Sequence, residues 1–467
     1  MATTTTLSPE LPWRSAASIP VRPVKPTPTS RRVVTPRIPM ALPHPSVPGG
    51  AFRPSAYVGE AVPFTVTAFR EGHDRIGVNV RLFSPSGDES LHRLSPLNDG
   101  FDRWSTIVAP LEQGVWRFRF ESFADDFATW EHAAEVKIAA GVDSALMREM
   151  GAELFDRARG EKKRPGSDKD ALYEAARALR DPDVHDDVAL SIVRDPAIAA
   201  LFAARPMMGL VSVGRDAELL VERERAGVGA WYEFFPRSEG ATRGEDGSVV
   251  SGTFRTAVDR LPGVAGMGFD VLYLPPIHPI GETNRKGPNN TLVTKPGDPG
   301  SPWAIGGAAG GHDTVHPDLG TLDDFRAFVA AARENGLEVA LDLALQASPD
   351  HPWVTEHPEW FTTLPDGSIA FAENPPKKYQ DIYPVNFDND PDGIRAEVLR
   401  IVRHWIAQGV TIFRVDNPHT KPLQFWEWLI ATVSAEEPDA VFLAEAFTRP
   451  APMQGLAMAG FQQSYTY

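Results

Sequence analysis

From about residue 51 to 140 apolar and polar positions alternate with a period of two. Val62-Pro-Phe-Thr-Val-Thr-Ala-Phe, Val78-Asn-Val-Arg-Leu-Phe and Val115-Trp-Arg-Phe-Arg-Phe are separated by turn-forming stretches such as Ser84-Pro-Ser-Gly-Asp and Asn98-Asp-Gly. Short alternating strands at this spacing predict an immunoglobulin-like β-sandwich. Between 141 and 225 the apolar spacing becomes helical. Asp143-Ser144 can cap a helix running through Ala158, and Ser167-Asp-Lys-Asp opens another through Arg180, closed by Asp-Pro. This segment is expected to form a small helical bundle. From 226 to 467 buried-type strands alternate with helices: Val228–Pro236, Val271–Pro276, Leu337–Leu345, Val410–Asp416, Val441–Phe447 and a sixth strand opening at Ser464. That order predicts parallel β/α architecture, in which chemistry sits at the carboxyl ends of the strands. Asp342, Asp416 and Glu445 fall at those ends.

Residues 1–50 break the pattern. They hold eleven of the 43 prolines and six Arg or Lys against one acid, Glu10. Such a stretch cannot bury a core and is expected to be a disordered, solvated tail rather than a cleaved leader. The chain as a whole carries −16 and a pI near 5.3, so its summed field repels polyanions and argues against a nucleic-acid or anionic-membrane surface. With no cysteine, disulfides, thiolate nucleophiles and Cys-ligated metals are excluded. The twelve histidines form no HExxH pattern. The aromatics Trp104, Trp116 and Trp130 could form a sugar platform, but packing is the commoner fate of large aromatics. These features read as an acidic, multidomain, cytoplasmic protein.

Asp416 and Glu445 are separated by one βα unit, so both are expected to project from neighbouring parallel strands into one pocket. Two carboxylates so placed suit retaining glycosyl transfer: one attacks the anomeric carbon, and the other protonates the leaving group and then deprotonates the acceptor. Arg414 lies two residues before Asp416, on the same face of a strand, where it can keep the nucleophile ionised. Spacing alone leaves open that these acids only cap helices or close a salt bridge with Arg414.

Gly409-Val-Thr-Ile-Phe-Arg-Val-Asp-Asn-Pro-His resembles the nucleophile motif of the α-amylase clan of glycoside hydrolases. Ala340-Leu-Asp-Leu-Ala-Leu-Gln-Ala is similar to that clan's strand-three motif, Phe442-Leu-Ala-Glu-Ala to its strand-five acid motif, and His316-Pro-Asp-Leu-Gly-Thr-Leu-Asp-Asp-Phe to its DPxLGTxxDF segment. Gln346-Ala347 stand where many amylases have Asn-His, so the resemblance does not carry over a structural calcium. Within the clan, Gly281-Glu-Thr-Asn-Arg-Lys-Gly, Ser348-Pro-Asp-His-Pro-Trp, Ala370-Phe-Ala-Glu-Asn-Pro-Pro-Lys-Lys-Tyr-Gln-Asp-Ile-Tyr-Pro and Asp416-Asn-Pro-His-Thr-Lys-Pro resemble α-1,4-glucan:maltose-1-phosphate maltosyltransferases.

The resemblance implies a (β/α)8 TIM-type barrel behind the sandwich and helical insertion, with only its first five to six strands in this sequence. It implies Asp416 as nucleophile and Glu445 as general acid/base. Asn374, Lys377, Tyr379 and Asn417 match phosphate-side positions; Lys286, Gln346 and Asp381 match maltosyl-donor positions. Lys377-Lys378 could equally be a solvated loop, and His312 and His419 could line the sugar site or simply pack. The substrates implied are α-maltose 1-phosphate and an α-1,4-glucan or maltooligosaccharide, with a homodimer as the assembly and no organic cofactor or essential metal. The clan's third acid, on strand seven, lies beyond Tyr467, so the sequence reads as a fragment of a longer protein. An amylase-like hydrolase, a trehalose-forming isomerase and an inactive glucan-binding fragment are the rival readings.

Overall fold

The computed structural model describes residues 35–49, 52–245 and 248–466. Two sheets face each other at the N-terminal end. One has the order β1-β3-β7-β6 (Met40–His44, Val62–Ala68, Arg103–Val108, Ser95–Pro96). The other has the order β2-β10-β8-β4-β5 (Ser55–Tyr57, Ala217–Glu222, Gly114–Asp125, Ile76–Phe83, Glu89–Arg93), and β9 (Met208–Val213) also pairs with β8. The period-two pattern buries Phe64 and Val66 of β3, Val78, Val80 and Leu82 of β4, and Phe118 and Phe120 of β8 in one core. Phe64 and Phe118 meet edge to face at 5.2 Å.

Three of the expected boundaries shift. Residues 1–34 and 50 of the expected tail lie outside the described residues, but Met40–His44 is a strand, antiparallel to β3, with Ile38 beside it fully buried. The tail's prolines fit there because an edge strand tolerates them. At the other end of the sandwich, β8 runs straight into α1 (Asp126–Ala139), and Asp125 caps that helix by accepting from Ala128 N. Helix α1 therefore belongs with α2 (Ser144–Arg159), α3 (Gly166–Arg180), α4 (Asp186–Val193) and α5 (Pro196–Ala204), not with the sandwich. After α5 the chain returns as β9 and β10, because Leu219 and Val221 complete the sandwich core. Asp125 of β8 and Met208 of β9 are register partners. The expected Asp143 cap is not made: Asp143 is left-handed (φ 54°) with no side-chain cap, and its carboxylate pairs with Lys137 Nζ at 3.0 Å. The helical block has its own core of Phe127, Trp130, Phe155, Leu172 and Phe202, so Trp130 is a packing residue.

Beyond Glu222 six strands form one curled, all-parallel sheet in chain order: Trp231–Glu233, Val271–Leu274, Glu338–Leu343, Ile412–Val415, Val441–Glu445 and Gln463–Tyr465. The helix Leu322–Glu334 opens with a capping box between Thr321 and Asp324. It closes at Gly336, whose φ of 76° lets Leu337 N bond back to Ala332 O at 2.9 Å. Period two divides each strand. Leu272, Leu274, Val339, Leu341, Phe413 and Phe442 face the helices, whereas Val271, Tyr273, Ala340, Ile412 and Val441 share the inner face. The sandwich is tied to the amino ends of this sheet. Arg223 and Arg225 pair with Glu338, Arg225 with Asp270, Gln462 with Glu222, and Gln113 with Pro438 O. The carboxyl ends are left to the loops. Among the described residues no helix is long and apolar enough to cross a membrane.

Candidate active site

The inner face places Asp342 beyond Ala340, Arg414 beyond Ile412 and Glu445 beyond Val441, each at the carboxyl end of its strand. Strand register sets Asp342 opposite Arg414. The buried guanidinium of Arg414 organises the group. Its Nη1 donates to Asp342 Oδ2 and to Asp416 Oδ1, both at 2.8 Å, and its Nη2 meets Glu445 Oε1 at 2.5 Å. Nε and Nη2 both donate to the Tyr465 hydroxyl at 3.0 Å. Asn417 sits in the left-handed region (φ 44°), which asparagine tolerates better than most residues. From there its N–H donates to Glu445 Oε2 at 3.2 Å and its amide to Asp416 Oδ2 at 3.4 Å. Asp342 Oδ2 also accepts from Tyr273 OH at 2.5 Å and Trp303 Nε1 at 3.2 Å.

These contacts divide the protons. Burial pushes the Asp342 carboxyl up to about 7, against the pull of Arg414 and with Asp416 adding to the rise. Burial likewise pushes Glu445 up to about 6, with Arg414 lowering it and Asp416 raising it. Burial disfavours the charge on Arg414, but Asp342, Tyr273, Asp416 and Glu445 together hold it more firmly protonated than a free arginine. Asp342 and Glu445 are thus both carboxyls that burial makes easier to protonate, and they share one guanidinium with Asp416. Asp416 Oδ1 is held by Arg414 at 2.8 Å, and Oδ2 takes the longer contact from the Asn417 amide at 3.4 Å.

The other expected site residues fall into two further groups. Gln346 Nε2 donates to Trp303 O at 3.2 Å, and the indole of Trp303 links it to Asp342. Lys286 and Asp381, both buried, stand 3.9 Å apart, and Lys286 Nζ reaches Gln380 Oε1 at 3.2 Å. Burial raises the Asp381 carboxyl, and its Oδ1 has no hydrogen-bond partner. Asn374, Lys377 and Tyr379 lie on a two-stranded hairpin, Ala372–Asn374 with Lys377–Tyr379, where Lys377 Nζ is 5.7 Å from the Tyr379 ring. Among the described residues no hydrogen bond joins those three to the acid cluster.

His419 has its Nδ1 buried without a hydrogen-bond partner, and burial lowers its pKa while the Glu445 backbone and Asp416 oppose the shift. His312 is a packing residue, stacked on Trp353 at 4.5 Å and bonded to Ala344 O. Sequence reasoning missed Tyr273, Trp303, Tyr465 and Lys421. Lys421 Nζ donates to Asn417 O at 3.4 Å; burial lowers its pKa while Asp416, Asp342 and Glu445 oppose the shift. Its signal was available, as the one cation in the loop that follows Asp416. Among the described residues no group of three or more His, Asp or Glu is placed to hold a metal ion.

Residues 36–223, spanning the sandwich and its helices, match the family described as α-1,4-glucan:maltose-1-phosphate maltosyltransferase, domain N/S. Over 92% of its length the chain is 54% identical to α-1,4-glucan:maltose-1-phosphate maltosyltransferase 2 of Streptomyces coelicolor, covering 64% of that protein. The chain is similar over most of its length to proteins of that name. The Mycobacterium tuberculosis member is 49% identical over 91% of the chain, which covers 64% of it. The chain thus spans less than two thirds of the length of these maltosyltransferases. Among solved structures, an α-amylase from Lactobacillus plantarum aligns with 50% of this chain and 48% of its own at 30% identity, with a TM-score of 0.39.

Proposed function

We propose that the protein is a retaining maltosyltransferase that moves maltosyl units from α-maltose 1-phosphate to the non-reducing end of α-1,4-glucans and releases phosphate. The observation that carries the reading is the single guanidinium of Arg414 gripping Asp416 and Glu445 together; the identity with named maltosyltransferases supports the choice of substrates. In the first step Asp416 Oδ2 attacks the anomeric carbon, the C1–O bond to phosphate breaks, and phosphate leaves with its electron pair, assisted by the Glu445 proton. The product is a β-maltosyl ester of Asp416. In the second step Glu445, now ionised, takes the proton of the acceptor hydroxyl as that oxygen displaces Asp416 from C1.

Asn374, Lys377, Tyr379 and Asn417 would supply the donors and the cation that a phosphate requires. Lys286, Gln346 and Asp381 would hold the maltosyl group, and Asp381 Oδ1, which makes no hydrogen bond and stands 3.9 Å from Lys286 Nζ, suits a sugar hydroxyl. In this reading the curled sheet is the first part of a (β/α)8 barrel, the sandwich is immunoglobulin-like, and the enzyme works as a cytoplasmic homodimer.

Phosphorus NMR of the chain, extended to the length of its relatives, with α-maltose 1-phosphate and a maltooligosaccharide tests the proposal. Inorganic phosphate and a lengthened glucan are expected from the wild type, and neither from Asp416→Ala. Silence from the extended wild type sinks the assignment, and free maltose in place of a lengthened glucan turns it to a hydrolase.

A further inference from the structure

The sandwich and the acid cluster meet through one short strand. The connector that leaves the sandwich after Glu222 makes a single helical turn, Glu224–Gly227, and its Ala226 packs with Val271, Ala340, Ile412 and Val441 on the inner face of the parallel sheet. The connector is held from two sides. A Cβ on Gly227 would lie 2.0 Å from Cδ1 of Tyr57 in β2, so its backbone rests directly on the sandwich. Arg225 pairs with Asp270 at 2.9 Å and with Glu338 at 3.1 Å, at the amino ends of the second and third parallel strands. A helix this short leaves its last carbonyls without partners of their own. The side-chain amide of Gln463 supplies one: Nε2 donates to Arg225 O at 2.9 Å and to Ala226 O at 3.2 Å. The preceding residue makes a second link, since Gln462 Nε2 donates to Glu222 Oε1 and its Oε1 accepts from Phe442 N, both at 2.8 Å.

Gln463 and Tyr465 are two residues apart on the last strand and so share a face. Register sets Gln463 opposite Leu443 and Tyr465 opposite Glu445, and Leu443 is itself opposite Arg414. The strand has only three residues, which leaves few ladder bonds to fix its place. One end of the shared face hangs from the connector carbonyls. The other delivers the Tyr465 hydroxyl to Arg414 Nε and Nη2 at 3.0 Å. That edge of the guanidinium also reaches Glu445 through Nη2, whereas Nη1 is held separately by Asp342 and Asp416. Without the hydroxyl the guanidinium can pivot about Nη1, and Nη2 is the atom that swings away from Glu445.

We propose that Gln463 is a positioning residue for the acid cluster: it fixes the last strand against the sandwich connector, so that Tyr465 holds Arg414 in the orientation that serves Glu445. The docking of the sandwich on the sheet is thereby part of how the acid is placed. The bearing of this on turnover rests on the maltosyltransferase reading; the placement of the carboxyl does not.

The test is carbon-13 NMR of the glutamate carboxyls in the 467-residue chain, with the Glu445 signal assigned by its loss in Glu445→Gln. In Gln463→Leu the Glu445 titration midpoint is expected to rise by about half a unit or more, because Arg414 is the cation that lowers it. Asp416, Asn417, His419 and Lys421 also face Glu445, and among the described residues none of them bonds Gln463. Tyr465→Phe should give the same rise, and adding Gln463→Leu to it should give no more. An unchanged midpoint in Gln463→Leu overturns the proposal, even if the variant melts earlier. So does a further rise of the same size on top of Tyr465→Phe, since Gln463 would then act by another route. If Gln463→Leu does not fold, Gln463→Met, which keeps the length and removes the donors, decides by the same measurement. In the extended chain, phosphate release from α-maltose 1-phosphate should fall about tenfold in Gln463→Leu, as loss of one buried hydrogen bond implies. Silence from the extended wild type refutes the maltosyltransferase reading, while the titration decides this one.

Discussion

Replacing Arg414 with lysine keeps the positive charge and removes the fork. In the protein the fork serves Asp342, Asp416 and Glu445 at 2.8, 2.8 and 2.5 Å and the Tyr465 hydroxyl at 3.0 Å. A lysine ammonium carries its hydrogens on one atom and cannot meet three carboxylates and a phenol lying on different sides. If two carboxylate contacts are lost at about 1.5–3 kcal/mol each, the direct loss is roughly 3–6 kcal/mol. Proton uptake by an orphaned carboxyl limits it, and Glu445 begins at about 6. The expected cost at pH 7 is therefore about 3 kcal/mol of stability, at the low end of that range. If the same misplacement reaches the transition state, phosphate release falls about a hundredfold.

The sign of the pH dependence follows. With the guanidinium gone, the carboxyl pKa values of the folded state rise further above their unfolded values. The folded variant then binds more protons than the unfolded chain, and its stability falls as pH rises through that window. Urea unfolding at pH 5 and pH 7, wild type against Arg414→Lys, should show the smaller difference at pH 5. A variant within about 0.5 kcal/mol of wild type at both values, the range of an inert surface change, would refute the view that Arg414 organises the acids.

Three further outcomes are expected. Because Glu445 is held up at about 6, single-turnover cleavage of maltose 1-phosphate, which draws on its protonated form, should decline as pH rises above about 6, and Glu445→Gln should abolish that limb; a flat profile would remove Glu445 as the acid. Tyr273→Phe deletes the 2.5 Å bond to Asp342 and should cost about 1.5–3 kcal/mol by urea unfolding, with no loss expected if Asp342 is already protonated and partnered elsewhere. Gly336→Ala should cost about 1 kcal/mol from backbone strain alone, since φ is 76° and a Cβ there would meet nothing within 4 Å; an unchanged melt would show that the loop relaxes.

Much of the acid cluster around Arg414 was legible because its geometry is periodic. Arg414 and Asp416 differ by two residues and so share a face, and Glu445 follows one βα unit later. Asp342 stood at a strand end in the sequence, but its pairing with Arg414 depends on cross-strand register, which spacing does not encode. Trp303 enters from a long loop, and Tyr273 counts only because Asp342 lies opposite its hydroxyl. At the sandwich boundary the alternating run from Val115 ends at Asp125. Phe127, Trp130, Ala134 and Ile138 then take up helical spacing, a change of period hidden inside one apolar stretch. The strand Met40–His44 was hidden by Pro43 and its flanking prolines, which are a signature of disorder in a free tail and of an edge strand in a folded one.

The pairing of Asp125 with Met208 has a consequence for how the molecule could change. All five helices of the block leave the sandwich and rejoin it between two hydrogen-bonded antiparallel strands, whose partner residues lie about 5 Å apart. Deleting the block would leave ends that a two-residue hairpin turn can join, and the block has its own hydrophobic interior. It is therefore a cassette. It can be lengthened, exchanged or excised over generations without moving the register of the sheet beneath it, while the ion pairs from Arg223 and Arg225 to Glu338 continue to anchor the sandwich to the parallel sheet.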